Sequence, residues 1–274
     1  MSALELVALV LLGGFTGALG GMLGVGGSTI LIPGLTLLLG PDQHLYQAAA
    51  MIANVAVAVP ATLRHRRAGV LNPAVLRGML PMAVLGVIGG VAVSNLGVFS
   101  GDAGGLWLRR MLSVFLVYVM AVNVQKLVRP APAQPVASAP DAPRGWRLSA
   151  GAGAVGAAMG GIAGLLGIGG GALAVPMQQT LLRQRLPAAI GNSAAVMCFS
   201  AAVGAVYKNA TLPAHGSAAD PLHWWSGLLI AAAVCPSACL GGRVGAGLTH
   251  RLPLRAVRAV FVVVLGLAAW RMWG

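Results

Sequence analysis

Residues Gly17–Pro33 read G-A-L-G-G-M-L-G-V-G-G-S-T-I-L-I-P, and Gly160–Pro176, 143 positions later, read G-G-I-A-G-L-L-G-I-G-G-G-A-L-A-V-P. Seven of the seventeen positions are identical: Gly17/Gly160, Gly21/Gly164, Leu23/Leu166, Gly24/Gly167, Gly26/Gly169, Gly27/Gly170 and Pro33/Pro176. Each copy starts as an apolar helix with small residues at every third or fourth place. It then meets three or four nearly consecutive glycines and resumes. Glycine costs roughly 1 kcal/mol against alanine inside a helix, so the cluster predicts a break. A break in an apolar segment frees N–H and C=O groups at membrane depth, which is tolerated only where they face protein or a polar cavity. The helix restarting near Ser28 and near Gly171 offers its first N–H groups and the positive end of its dipole to that gap. The expected occupant is an anion.

Composition places these stretches in a membrane. The chain is 58% hydrophobic and only 8% charged, too few charges to cover a soluble surface. Its 274 residues hold roughly eight apolar segments of about 20 residues. The net charge of +13 sits as ones to threes at segment ends, not as a stripe with interleaved aromatics. It therefore reads as topological, with no nucleic-acid partner expected. Met-Ser-Ala-Leu-Glu carries no basic n-region, so no cleavable signal peptide is expected.

Segment one covers about Leu4 to Gly40 and holds the first glycine break. Segment two covers about Tyr46 to Leu63 and ends in Arg64-His65-Arg66-Arg67. Segments three and four cover about Pro73 to Leu96 and Leu106 to Leu127. Arg129 to Gly145 is a Pro/Ala linker that divides the chain. The expected domains are thus an N-terminal repeat 1–128, the linker 129–145 and a C-terminal repeat 146–274. Segment five, about Trp146 to Leu182, carries the second break. Segments six, seven and eight are about Pro187 to Tyr207, Ser226 to Leu248 and Leu254 to Trp273. A loop of about fifteen residues with His215, Asp220 and His223 follows segment six, and Trp224 and Trp225 suit a membrane interface. Leu108–Phe115 and Leu254–Phe261 share Leu, Arg, Val and Phe in register, which completes the argument for a duplication.

The distribution of basic residues tests two topologies. If all eight segments span, with the Arg64 cluster inside, the split is 10 inside to 8 outside. If segments one and five are hairpins that enter to the break and return, only Arg109, Arg110, Lys208 and Arg271 lie outside, against fourteen inside. The second reading fits better. It makes the fold class an all-α polytopic membrane protein of two homologous four-segment halves, arranged as inverted repeats with glycine-broken helices. Leu4 to Leu23 is long enough to cross alone, so a re-entrant arm must tilt or reach deep.

The doubled glycine stretch, ending in Pro33 and Pro176, resembles the TauE/SafE family of membrane permeases, also called the sulfite exporter family. The likeness covers nearly the whole chain. A small-residue segment with polar positions follows the second copy, Ala189-Ile190-Gly191-Asn192-Ser193. The family usually shows an A-x-x-T-S-like run there. Asn192 stands where Thr is common, and the first half has Ala48-Ala49-Ala50-Met51-Ile52, without a hydroxyl. The resemblance implies transport of sulfite, sulfonates such as taurine or sulfoacetate, and related small organosulfur anions, across a bacterial inner membrane and in either direction. A carrier and an anion channel both remain open, as does self-association into a homodimer.

The candidate substrate-binding residues are Gly24, Gly26, Gly27, Ser28 and Thr29 in the first break, and Gly167, Gly169, Gly170 and Gly171 in the second. Asn54, Asn192, Ser193 and Gln178 complete the set. Close helix packing accounts for Gly17, Gly21, Gly160 and Gly164, but packing needs small residues on one face only and does not explain consecutive glycines. Asn54, Asn192 and Ser193 serve equally well as interhelical hydrogen-bond partners. Gln178 and Gln179 read first as hairpin caps, and Lys208 as a side chain snorkelling to the interface. Glu5, Asp42, Asp102, Asp141 and Asp220 all fall at termini or in loops, so a carboxylate proton relay and a cation cargo are not expected. Cys198, Cys235 and Cys239 read as small packing residues without a metal spacing, and neither metal nor cofactor is expected. An intramembrane serine protease built on Ser193 lacks a histidine placed at depth to act as its base.

Overall fold

The computed structural model describes residues 2–128, 145–216, 221–248 and 254–273. Asp141, Asp220, His250 and residues 129–144 of the linker lie outside the described residues, whereas the linker's last residue, Gly145, already begins a helix. The described residues form α1 (Ala3–Leu23), α2 (Ser28–Leu39), α3 (Gln43–Arg67), α4 (Pro73–Ser94) and α5 (Gly101–Val128). The second half gives α6 (Gly145–Leu166), α7 (Gly171–Leu181), α8 (Leu186–Thr211), α9 (Ser226–Leu248) and α10 (Leu254–Trp273). Among the described residues, eight helices are long and apolar enough to cross a membrane, while α2 is a shorter apolar helix.

The glycine clusters interrupt the helices as their composition dictates. Gly24 at φ 65° ends α1, and Gly167 at φ 75° follows α6. Both occupy the left-handed region, where a side chain costs about 1–2 kcal/mol. Beyond each break the chain reverses. A methyl on Gly27 would stand 3.0 Å from the Thr16 carbonyl, and one on Gly34 would meet the Leu12 side chain at 2.7 Å, so α2 runs back along α1. In the other half Gly170 abuts Met159 and Gly151 abuts Leu182, so α7 runs back along α6.

The neighbours of α1 and α6 come from the opposite half. On α1, Gly13, Gly17 and Gly21 press against the backbone of Val234, Ala238 and Gly242 of α9. On α6, Gly156, Gly160 and Gly164 press in the same way against Met79, Ala83 and Val87 of α4. At these six places a Cβ would overlap a facing carbonyl, so glycine every fourth residue sets how closely the axes approach.

Corresponding helices run antiparallel. Met51 of α3 lies by Gly204 of α8, Thr62 by Cys198, and His65 by Gly191. Ser113 near the start of α5 donates its hydroxyl hydrogen to the Ala269 carbonyl near the end of α10, at 2.8 Å. One end of the bundle therefore gathers Arg64–Arg67, Arg77, Lys126, Arg147, Arg183, Arg185 and Arg258. The other carries Arg109, Arg110, Lys208 and Arg271. The core is lined by buried apolar residues such as Leu9, Leu31, Ile32, Met79, Leu112 and Leu116.

Helix α8 continues past Tyr207, where segment six was expected to end, to Thr211, and a 3-10 turn Leu212–His215 follows. The extension is polar and only partly satisfied, since the buried Asn209 Oδ1 has no hydrogen-bond partner. Asn209 donates to the Ala205 carbonyl at 2.8 Å, and Lys208 is buried at 0% exposure. A snorkelling role for Lys208 is thereby overturned: its ammonium finds three acceptors inside the bundle and does not reach for the interface.

Candidate functional site

Halfway along α3 and α8 the two breaks meet. The Gly169 N–H donates to Ser28 Oγ at 2.9 Å, joining the first residue of α2 to the second break. The Ser193 hydroxyl donates to the Gly24 carbonyl at 3.2 Å, joining α8 to the first. A methyl built on Gly26 would stand 3.1 Å from the Gly169 Cα, so the loops touch backbone to backbone. Gly27 and Gly170 cap α2 and α7 without any side-chain hydrogen bond. The first turns of both helices thus face the junction with donors that the helices cannot use themselves. Together the two N-termini carry roughly one elementary charge of positive potential.

Uncharged polar side chains ring this point. Asn54 Oδ1 accepts from the Ser28 N–H at 3.4 Å and stands 3.3 Å from where a Gly169 Cβ would lie. Thr29 turns its hydroxyl back to the Gly26 carbonyl at 3.1 Å, so it shapes the loop and presents no free donor. Gly171 is held against the Gly24 carbonyl and Ser193 Oγ. Ser28, Thr29, Asn54, Gln178, Asn192 and Ser193 are all buried.

Not every candidate reaches the junction. Asn192 accepts from the Asn72 N–H at 2.9 Å and donates to Gln178 Oε1 at 3.2 Å, and Gln178 donates to the Ala189 carbonyl at 3.2 Å. These two tie α7, α8 and the α3–α4 turn together on the arginine-rich side. Gln179 accepts from Lys126 at 2.9 Å. Beside the junction on that same side is a water-sized cavity of about 30 Å³, lined by Val25, Ala172 and Ile190 and by the basic Lys126 and Arg258.

Lys126 and Arg258 were not singled out from sequence, and neither was Gln47. Buried Gln47 packs on Gly167 and donates to the Leu165 carbonyl at 3.1 Å. The 143-residue offset of the repeat was the available signal: it pairs Gln47 with Ile190, and Ile190 packs on Gly24 as Gln47 packs on Gly167. Ser193 donates to a backbone carbonyl and to no base. Cys198 lies 3.4 Å from Thr62 Oγ1. Among the described residues no three His, Cys, Asp or Glu side chains gather to hold a metal ion.

Two curated relatives resemble this chain along 99% of its length. The "Probable membrane transporter protein MamO" of Paramagnetospirillum magneticum is 28% identical over 299 residues, and its namesake from Magnetospirillum gryphiswaldense is 25% identical. The chain spans less than half, 45%, of each of these relatives. No solved structure matches it significantly. Residues 9–272 match the family described as Sulfite exporter TauE/SafE. With eight apolar helices long enough to span a bilayer and relatives named as membrane transporters, the chain belongs to the TauE/SafE family.

Proposed function

We propose that the chain is a secondary carrier of small sulfur-containing oxyanions, sulfite or sulfonates such as taurine and sulfoacetate, in a bacterial inner membrane. The meeting of the two broken helices carries this reading. Two helix N-termini that Gly27 and Gly170 leave without a side-chain cap, with Ser28, Ser193 and Asn54 around them, converge where no carboxylate of the described residues opposes an anion. Helix termini provide donors and positive potential without a dedicated arginine. The antiparallel pairing of α3 with α8 and of α5 with α10 supports an inverted duplication of residues 1–128 and 146–274. Rocking of one half on the other around this point then exposes it to each face in turn. Contact between Gly26 and Gly169 favours a carrier over a channel, since the junction is closed and must part to admit cargo. Gln178 and Asn192 brace the site from the arginine-rich side. The arginine-rich end faces the cytoplasm, as the distribution of basic residues requires.

Thermal-shift screening of the purified chain against sulfite, sulfate, thiosulfate, taurine and sulfoacetate tests the cargo class. Stabilisation by at least one sulfur oxyanion, with saturable counterflow in proteoliposomes, is expected. Absence of stabilisation by all five rejects the cargo class, and ohmic single-channel current rejects the carrier.

A further inference from the structure

The cavity beside the glycine junction is lined from both halves of the chain: helix α5 supplies Lys126 and helix α10 supplies Arg258. Antiparallel packing sets the last turn of α5 beside the first turns of α10, so both basic residues line the cavity at the arginine-rich end. Its inner wall belongs to the junction. Val25 stands between Gly24 and Gly26, Ala172 follows Gly171, and a methyl on Gly24 would stand 2.8 Å from Ile190 Cγ2.

Arg258 is charged whatever surrounds it, because a guanidinium does not deprotonate in proteins. Among the described residues no hydrogen bond or ion pair engages it. Lys126 Nζ spends one hydrogen on Gln179 Oε1, at 2.9 Å. As ammonium or as amine, it has at least one more to give. The described carboxylates are elsewhere. Asp42 caps α3 and Glu5 lies in the first turn of α1. Both belong to the opposite end, since α1 runs beside α9 toward Gly247, where a methyl would meet Arg64. Asp102 opens α5 at that opposite end as well.

The positive-inside rule accounts for basic residues on the rim of this end. It does not require two of them, half-buried, on the wall of a cavity that reaches the helix breaks. Nor does the duplication. The 146-residue offset between Leu108–Phe115 and Leu254–Phe261 pairs Arg258 with Leu112 and Lys126 with Met272, and both counterparts are buried and apolar. The two basic side chains are thus particular to one side of the junction.

We propose that Lys126 and Arg258 form a station on the anion's path, holding the cargo between the glycine junction and the arginine-rich face. The planar fork of the guanidinium suits two oxygens of a sulfite or sulfonate, and an oxyanion that leaves the junction meets it before it meets bulk water. This rests on the reading of the junction as the cargo site. With the junction closed the cavity is water-sized, about 30 Å³, so cargo enters it as the junction parts.

The test places a reporter in the cavity wall. Val122, which lines it, is replaced by Cys in the full-length chain with Cys198, Cys235 and Cys239 changed to Ala. Labelling rates in nanodiscs are compared for two reagents of similar size and opposite charge, sulfonatoethyl and trimethylammonioethyl methanethiosulfonate. The anionic reagent is expected to react at least about tenfold faster, as a cleft lined by one sign of charge concentrates the other. Sulfate should slow that reaction when it replaces gluconate at equal ionic strength. Arg258→Gln is expected to lower the rate ratio about tenfold, the loss of one charge-assisted contact, and Arg258→Lys to keep most of it. Lys126→Gln should lower it by a smaller factor, and serves where Arg258→Gln does not insert. Arg147→Gln, at an exposed arginine of the same end outside the cavity wall, should leave it unchanged. Absence of labelling, or of a preference for the anionic reagent, overturns the proposal. So does a ratio that survives both wall substitutions, or one that Arg147→Gln lowers as much as they do, which would make the effect a general surface potential. Protection by chloride but not by sulfate would assign the cavity to a halide and remove it from the cargo's path. None of these outcomes depends on transport: anion preference and sulfate protection in a chain that moves no sulfonate would refute the carrier and leave the site.

Discussion

Gly26→Ala probes the junction with a single methyl. Gly26 has φ 87°, where an L side chain costs about 1–2 kcal/mol. The added Cβ would stand 3.1 Å from the Gly169 Cα, 3.1 Å from Met197 Sδ and 3.3 Å from Asn54 Oδ1. The Met197 side chain can swing aside, but the Gly169 backbone yields only if the loop moves. Overpacking of this kind adds about 1–3 kcal/mol, giving roughly 2–5 kcal/mol in all. The displaced loop carries the Gly169 N–H away from Ser28 Oγ, now at 2.9 Å. A loss of about 1.4 kcal/mol in anion binding is already tenfold in affinity. Gly69→Ala is the control. Gly69 has φ 67° in the turn after α3, with nothing within 4 Å of the added carbon, so it carries the backbone strain without the collision. Taurine or sulfite uptake into proteoliposomes, at matched protein insertion, should fall at least tenfold in Gly26→Ala and stay at the parent level in Gly69→Ala. Equal uptake by the two variants would refute a role for the meeting of the breaks.

Ser28→Ala leaves the buried Gly169 N–H without its acceptor and should lower stability by about 1–3 kcal/mol, read as a drop in the thermal unfolding midpoint in detergent. Gly160→Val, whose side chain would overlap the Ala83 carbonyl of α4, should abolish monodisperse protein on size exclusion, whereas Gly26→Ala elutes as the parent does. Among the described residues no acidic side chain stands at the junction, so sulfite transport should change lumenal pH only through protons carried by the cargo. A pH-sensitive dye should respond to sulfite and stay silent with a permanently ionised sulfonate; equal responses would show protonation of the protein itself.

The helix breaks were legible because glycine's backbone cost is local: three or four glycines within a few residues disfavour a continuous helix whatever surrounds them. The packing role of Gly17, Gly21, Gly160 and Gly164 was legible for the same reason, since their spacing follows the helical period. Lys208 was misread because a lysine near a segment end ordinarily reaches water. Its three acceptors arrive from α3 and α4, more than a hundred residues away in sequence. The same distance hid Gln47, which meets the second break from the first half.

By itself the sequence determined that the chain is a membrane-embedded helical protein carrying two near-copies of a glycine-rich stretch that interrupts a helix, because composition, period and repetition are properties of short stretches. Only the tertiary structure decided that each interrupted helix folds back along itself, packs against a helix of the other half and touches its counterpart at Gly26 and Gly169. It also separated Ser28, Asn54 and Ser193, which ring that point, from Gln178 and Asn192, which brace a neighbouring turn. Which donors stay unspent depends on which acceptors arrive from elsewhere in the chain, and that is settled by packing.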